Sequence, residues 1–493
     1  MDYRFGRFIQ KKSGLGALQI FTISLQWVLG FLHCCSFYAM GKAKRNAWLA
    51  GLFVLALGAN AIANVVGYTE EKIINRFGAG NLIDEYFNQP SLDHAEEQKI
   101  FSALVPEQNE FYRTYYGTKD RLNHAMLYGY YGTSAYNSVL KKNLHSFVKK
   151  DYNVRQTNPL RNGVVVSTYS LFDGRWALET GLGVKYQVLP KDEKAPFGYE
   201  KVEETETYSV YENPSAVGID MWYTETISET EWRQLNVAER DALFLNTLVV
   251  ADRYVLARTE NWKEQLPERI KVDLANADYH NASMAEGLLT VQSGGKVRIP
   301  IEGKEEPGEY MVYFDITPVQ DQSMKLNVNG KEVLKRETSY IYSYPNEGYL
   351  FRLDGQTDEI VIEISPGTYK ISGLKVYWNS YEQFRAQAKQ REVYSMENLH
   401  VKGNGVSGDL SVREQGILFL SIPYSEQWKL KVNGEEAELL EVQSAFSGIL
   451  LKPGEYRIEL SYITPGFYPG LIVTVLSAFA ALLLHLYGRR KNS

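Results

Sequence analysis

Three stretches without a formal charge constrain this chain most. Gly14 to Met40, Asn46 to Tyr68 and Leu460 to Gly488 contain no Asp, Glu, Lys or Arg, and the third is most apolar between Phe467 and Leu486. A bilayer core takes about 20 apolar residues of helix, so each stretch is long enough to cross. Trp48, Tyr68, Tyr462, Phe467, Tyr468 and Tyr487 stand at their edges, where interfacial aromatics belong. The first stretch is too long for a signal peptide and has no small-residue cleavage site behind it. The expectation is a transmembrane hairpin over 1–68, with spans at about 14–40 and 46–68, and a closing transmembrane helix over 464–488.

Basic residues orient these spans. Lys42, Lys44 and Arg45 fill the short link between the first two, and Arg489, Arg490 and Lys491 follow the last. The positive-inside rule puts both groups in the cytoplasm and residues 67–465 outside. Arg4, Arg7, Lys11 and Lys12 precede the first span, so both of its flanks are basic and its direction conflicts with the rule. Whole-chain averages hide this segregation. A mean hydropathy of −0.30 and a net charge of −6 describe an acidic soluble protein. Yet residues 67–465 carry 43 basic and 58 acidic side chains, a net charge of −15. A surface of that sign repels polyanions unless divalent cations intervene, which excludes nucleic acid as a partner and leaves room for such a cation.

The exterior region reads as α+β followed by β. Within 69–283, Ser91 to Val105 reads as a helix with acidic residues near its start, stopped by Pro106. Asn236 and Glu239 have the spacing of a capping box ahead of Ala242–Val250. Val164–Ser167, Val184–Leu189 and Tyr208–Tyr211 read as strands. From Gly287 onward short alternating runs dominate, and Asn329-Gly330 and Asn433-Gly434 are hairpin turns by composition. Pro307-Gly-Glu-Tyr310, Pro366-Gly-Thr-Tyr369 and Pro453-Gly-Glu-Tyr456 each launch a strand. The reading is two jelly-roll-like β-sandwich units, 284–380 and 395–463. Modules of that kind are often carbohydrate-binding, though fold alone does not assign function.

Catalytic signatures are missing. There is no phosphate-binding loop, dinucleotide fingerprint, nucleophile elbow or His-Glu-x-x-His. The two cysteines, Cys34-Cys35, make neither a disulfide framework nor a zinc site. Paired acids such as Glu70-Glu71 and Glu203-Glu204 read as solvated surface. Tyrosine, however, occurs 35 times, with seven between Tyr112 and Tyr136. Aromatic faces stack on sugars while polar neighbours take the hydroxyls. Tyr112, Arg113, Asn123, Tyr128, Tyr130, Tyr131 and Tyr136 are therefore the candidate carbohydrate contacts, against the plainer reading that tyrosine packs in sheets.

Local motifs follow one another in a distinctive order. It runs Phe111-Tyr-Arg113, Asn123, Tyr128-Gly-Tyr130, Gly132-Thr-Ser134 and Tyr136-Asn-Ser138. It continues through Leu182-Gly-Val-Lys-Tyr186 and Val210-Tyr-Glu-Asn-Pro214 to Leu420-Ser-Ile-Pro-Tyr-Ser425 with Trp428 and Val432-Asn-Gly434. It closes with Pro453-Gly-Glu-Tyr456 and Tyr462-Ile-Thr-Pro-Gly-Phe-Tyr468. That order resembles one family, the bacterial YfhO-like membrane proteins, over roughly residues 110–487. The resemblance implies a polytopic GT-C-type glycosyltransferase moving a sugar from an undecaprenyl phosphate-linked donor onto an envelope polymer, lipoteichoic acid in Gram-positive bacteria. Catalysis in that class uses an acid in the first extracytoplasmic loop. Here Asp2 is the only acid before Glu70, and about a dozen N-terminal helices are reduced to two. The expectation is the C-terminal half of such an enzyme, in the bacterial cell membrane with its bulk extracytoplasmic. It would lack its own catalytic loop and be completed by a separately encoded N-terminal membrane half. The alternative is a non-enzymatic, membrane-anchored carbohydrate-binding or accessory protein.

Overall fold

The computed structural model describes residues 94–490 except 108, 118–123, 137–140, 153–167, 170, 171, 173, 257–260, 340–347 and 392–393. The expected spans at 14–40 and 46–68, Asn123 and the expected strand at Val164–Ser167 lie outside the described residues. Residues 94–467 form one compact unit, and the chain from Tyr468 belongs to a second.

The first unit is mostly β-sheet with a few short helices. Its central element is strand Gly416–Pro423, buried along nearly its whole length. Alternation sends Leu418 and Leu420 to one side and Ile417 and Phe419 to the other. Leu418 and Leu420 pack with Leu410, Leu430, Ile449 and Ile458. Ile417 and Phe419 pack with Tyr223, Trp232, Phe244 and Phe446. An apolar run with no polar face is what a strand between two cores requires.

This strand organises a four-stranded sheet, in the order Leu440–Val442, Phe446–Leu451, Gly416–Pro423, Asp220–Tyr223. The last of these strands comes from the mixed region, pairing Leu420 with Asp220 and Ile417 with Tyr223. The 395–463 segment is thus not a sheet system of its own. It borrows an edge strand because an unpaired edge beside so apolar a strand would leave buried backbone groups unsatisfied. A five-stranded sheet, from Glu397–Lys402 to Gly454–Tyr462, covers one face. The helices and strands before residue 266, together with helix Tyr381–Arg391, cover the other.

A nine-stranded sheet forms a third body from Glu268 to Ser380. Strands Glu268–Ile270 and Asp278–Ala285 join it, so the sheet starts upstream of residue 284. Tyr310, Val312, Phe314, Leu326, Ile360, Ile362 and Tyr369 share its core. Helix Val237–Leu243 packs Val237, Ala238 and Ala242 on Met311, Leu350 and Tyr377 of the outer face. The helix carries the capping box in full: the Asn236 side chain accepts from Ala238 and Glu239 N–H, and Glu239 accepts from Asn236 N–H at 2.9 Å. It is shorter than the apolar run suggests, because Leu248–Val250 leaves it to pair in parallel with Thr226–Ser228.

Both Asn-Gly turns have positive φ at each residue, 45° and 84° at Asn329-Gly330 and 53° and 84° at Asn433-Gly434, as a tight hairpin demands. The Pro-Gly-x-Tyr repeats start strands Gly308–Pro318, Gly367–Ser380 and Gly454–Tyr462. In two of them the tyrosine folds back to the carbonyl before the proline, Tyr369 Oη to Ser365 O at 2.7 Å and Tyr456 Oη to Lys452 O at 2.9 Å. The ring then lies against the glycine, where a Cβ would come within 3.1 Å of the phenol oxygen in both cases. In the third, Tyr310 donates instead to Glu302 O.

The second unit contributes helix Phe467–Arg490. From Phe467 to Phe479 its large apolar side chains with described placement are 48–63% exposed. Among the fully described residues no helix is long and apolar enough to cross a membrane.

Candidate functional site

The densest group of polar side chains in the region singled out from sequence is built on helix His94–Ala103. Ile100, Phe101 and Leu104 follow Glu97 at i+3, i+4 and i+7, one face of a helix, and all four are buried. Glu96 behaves as an acid in a first turn should, reaching out to Thr207 N–H at 3.0 Å. Glu97, the next residue, points inward at 1% exposure.

Beneath the helix lies a sheet in which Arg113–Tyr116 runs parallel to Val184–Pro190, followed by Tyr208–Glu212. Alternation turns Tyr116, Val188, Tyr208 and Val210 toward Glu97 and Phe101. Tyr116 donates to Glu97 Oε1 at 2.7 Å and Tyr208 to the same oxygen at 3.1 Å. Tyr128 donates to Glu97 Oε2 at 3.2 Å, and His124 Nε2 lies 3.3 Å from it. The other ring nitrogen, Nδ1, is 3.2 Å from the Tyr130 hydroxyl. Phe101 stacks on Tyr130 at 4.6 Å and meets Tyr116 edge-on at 5.0 Å.

Burying a carboxylate is costly unless its lone pairs are met. Three phenols and an imidazole meet these. Burial, followed by the Glu97 hydrogen bond and charge, pushes the Tyr116 phenol far above its ordinary pKa, so it stays a donor across the physiological range. Glu97 is enclosed rather than presented. The cluster acts as a polar lock that fixes the Ala125–Tyr131 turn, where Gly129 takes a φ of +75° and closes the short helix by donating to Ala125 O.

The sequence-derived candidates divide accordingly. Tyr128 and Tyr130 belong to this lock. Tyr131 lies at the surface, 38% exposed, against the Phe111 ring at 4.6 Å. Tyr112 is buried, edge-on to Tyr186 at 5.3 Å, with the Lys185 ammonium 5.0 Å over its ring. Arg113 reaches away from the lock, bonding Ser421 Oγ at 2.9 Å and Ser421 O at 2.7 Å while also holding Leu182 O. Desolvation lowers its pKa to about 10. It staples this sheet to the central strand. Tyr136 sits in a two-stranded pairing with Thr168. Glu97, His124, Tyr116 and Tyr208 were not singled out. The one available signal was Glu97 in register with Phe101 and Leu104. Among the described residues no group of three or more His, Cys, Asp or Glu is arranged to hold a metal ion.

The model of the family described as bacterial membrane protein YfhO matches residues 8–474. The chain belongs to that family. It is 25% identical over 472 residues to the uncharacterized protein YfhO of Bacillus subtilis strain 168, covering 94% of this chain and 53% of that one. It therefore spans about half the length of this curated YfhO relative. Among solved structures, the C-terminal CBM6 of LamC, a laminarinase of Zobellia galactanivorans, overlaps 22% of the chain and 99% of that module, at 12% identity and a TM-score of 0.17. The arabinofuranosyltransferase AftD from Mycobacteria overlaps 61% of the chain and 32% of its own, at 9% identity and a TM-score of 0.16. Overlaps of that quality carry no argument about the YfhO fold or function.

Proposed function

We propose that this chain is the extracytoplasmic half of a YfhO-type envelope glycosyltransferase, anchored in the bacterial cell membrane by its charge-free segments. In this reading the sugar comes from an undecaprenyl phosphate-linked donor and passes to an envelope polymer of the lipoteichoic acid type. The transfer chemistry belongs to membrane helices supplied by another part of the protein or by a separately encoded half. The observation that carries the reading is the family match over residues 8–474 to a bacterial membrane protein. The helix Phe467–Arg490 adds support, since its apolar side chains up to Phe479 are exposed where lipid would cover them. The exposed Tyr131, held out by the Glu97 lock, is the tyrosine best placed to meet a sugar.

Complementation tests this. A strain lacking its full-length relative would receive this chain alone, the N-terminal membrane half of that relative alone, or both. Restored envelope glycosylation only with both supports the proposal. Restoration by this chain alone overturns the assignment of chemistry elsewhere. Failure of all three favours the non-enzymatic accessory reading.

A further inference from the structure

A cleft of about 690 Å³ opens at the junction of helix Tyr381–Arg391, the end of strand Gly367–Ser380 and the Glu264–Glu268 segment. It is separate from the Glu97 lock. Its volume falls among small-ligand sites, roughly 300–1,000 Å³.

The helix is unusual on the side that faces it. Tyr381, Phe384 and Ala388 are buried at i, i+3 and i+7. Beside that stripe, Gln383, Gln387 and Gln390 recur at i, i+4 and i+7 and line the cleft. An exposed helix face normally carries charged residues; this one presents three neutral carboxamides in a row. Two polar atoms at the wall are buried without a protein partner, Gln387 Oε1 and Arg391 Nε. Buried polar atoms are satisfied in the great majority of cases, and exceptions need a reason. Both atoms are closed off from the cleft, so a ligand would meet them only after the Gln387 carboxamide and the Arg391 side chain turn toward it. The Arg391 guanidinium is held beside the cleft by Nη1, which donates to Trp222 O at 2.7 Å.

The charge of the wall narrows the ligand. Glu225 and Glu306 stand with further carboxylates in the lining, and Arg391 is the cation among the lining residues. Phosphate or carboxylate ligands are repelled by that excess. Carboxamides donate and accept at once, and carboxylates accept from hydroxyls. Both suit a ligand dense in hydroxyl groups and free of negative charge. We infer that this cleft is a binding site for a short uncharged oligosaccharide. The site stands whether or not the chain takes part in sugar transfer, because only binding is claimed for it.

The test uses the full chain in lipid nanodiscs, since sugar-based detergents would compete. Cellobiose and N,N′-diacetylchitobiose are titrated by calorimetry and by saturation-transfer NMR, with glucose 6-phosphate and glucosamine as anionic and cationic controls. Saturable binding of at least one uncharged probe is expected, weakened tenfold or more by Gln387→Leu and by Gln383→Ala. Gln383 is exposed, so its variant folds even if Gln387→Leu does not. Binding of neither uncharged probe overturns the inference. So does equal or tighter binding of either charged control, or affinity unaffected by both glutamine variants.

Discussion

Asp220 offers the sharpest test of the packing described here. It sits on the strand borrowed by the central sheet, 3% exposed, and accepts from Met396 N–H at 2.8 Å. Ser395 Oγ donates more weakly at 3.4 Å. Burial outweighs both bonds and pushes the carboxyl from 3.8 up to about 6. Below pH 4 the carboxyl is protonated in folded and unfolded chains alike and costs nothing. Between about pH 4 and 6 the unfolded chain releases the proton while the folded chain keeps it, so stability falls as pH rises. The gap of about two units, at about 1.4 kcal/mol each, makes the loss about 3 kcal/mol, complete above pH 6. Asp220→Asn keeps an oxygen for Met396 N–H and removes the ionisation. The variant should exceed the parent by up to about 3 kcal/mol at pH 7.5 and by about 1 kcal/mol at pH 4.5. Denaturant unfolding of both proteins at the two pH values measures this. A stability difference that does not change with pH, or one that grows toward acid, would refute the reasoning.

Other outcomes follow from the same contacts. Glu97→Ala strands three phenols and an imidazole and should cost about 3 kcal/mol or more in thermal unfolding, with Glu97→Gln milder. In an alkaline spectrophotometric titration, Tyr116→Phe should leave the folded-state tyrosinate signal unchanged up to about pH 11; loss of one normally titrating phenol would contradict the raised pKa. Phe419→Ala, at the two-sided centre, should cost about 3–5 kcal/mol. Gly198→Ala meets Trp176 Nε1 at 2.3 Å with a φ of +89°, and its melting temperature should fall where a substitution at the open Gly403 leaves it unchanged.

Local chemistry was legible in the sequence. The Asn-Gly hairpins, the Asn236–Glu239 capping box and the strand-launching Pro-Gly-x-Tyr repeats each complete their reason within a few residues. What depended on distant partners was not. Nothing near Asp220–Tyr223 announces its pairing with Gly416–Pro423, and nothing near Arg113 announces Ser421. Glu97 shows why the site was only half read. An acid in a first helical turn is ordinarily a surface residue favoured by the helix dipole. Its inward turn is decided by Tyr116 and Tyr208, which reach it only once the sheet has formed. The tyrosine concentration was real, but Tyr112 goes to packing and Tyr128 and Tyr130 to the lock.

The central strand also sets an order of events during synthesis. Asp220 waits for Leu420, about 200 residues later in the chain, before either core around Gly416–Pro423 can close. Pairings of such separation form slowly and leave apolar surface open meanwhile. Nearly the whole unit from His94 to Phe467 must therefore emerge before its middle is sealed. A chain halted anywhere before residue 416 would hold an unfinished core, and assistance from a chaperone would matter most in that interval.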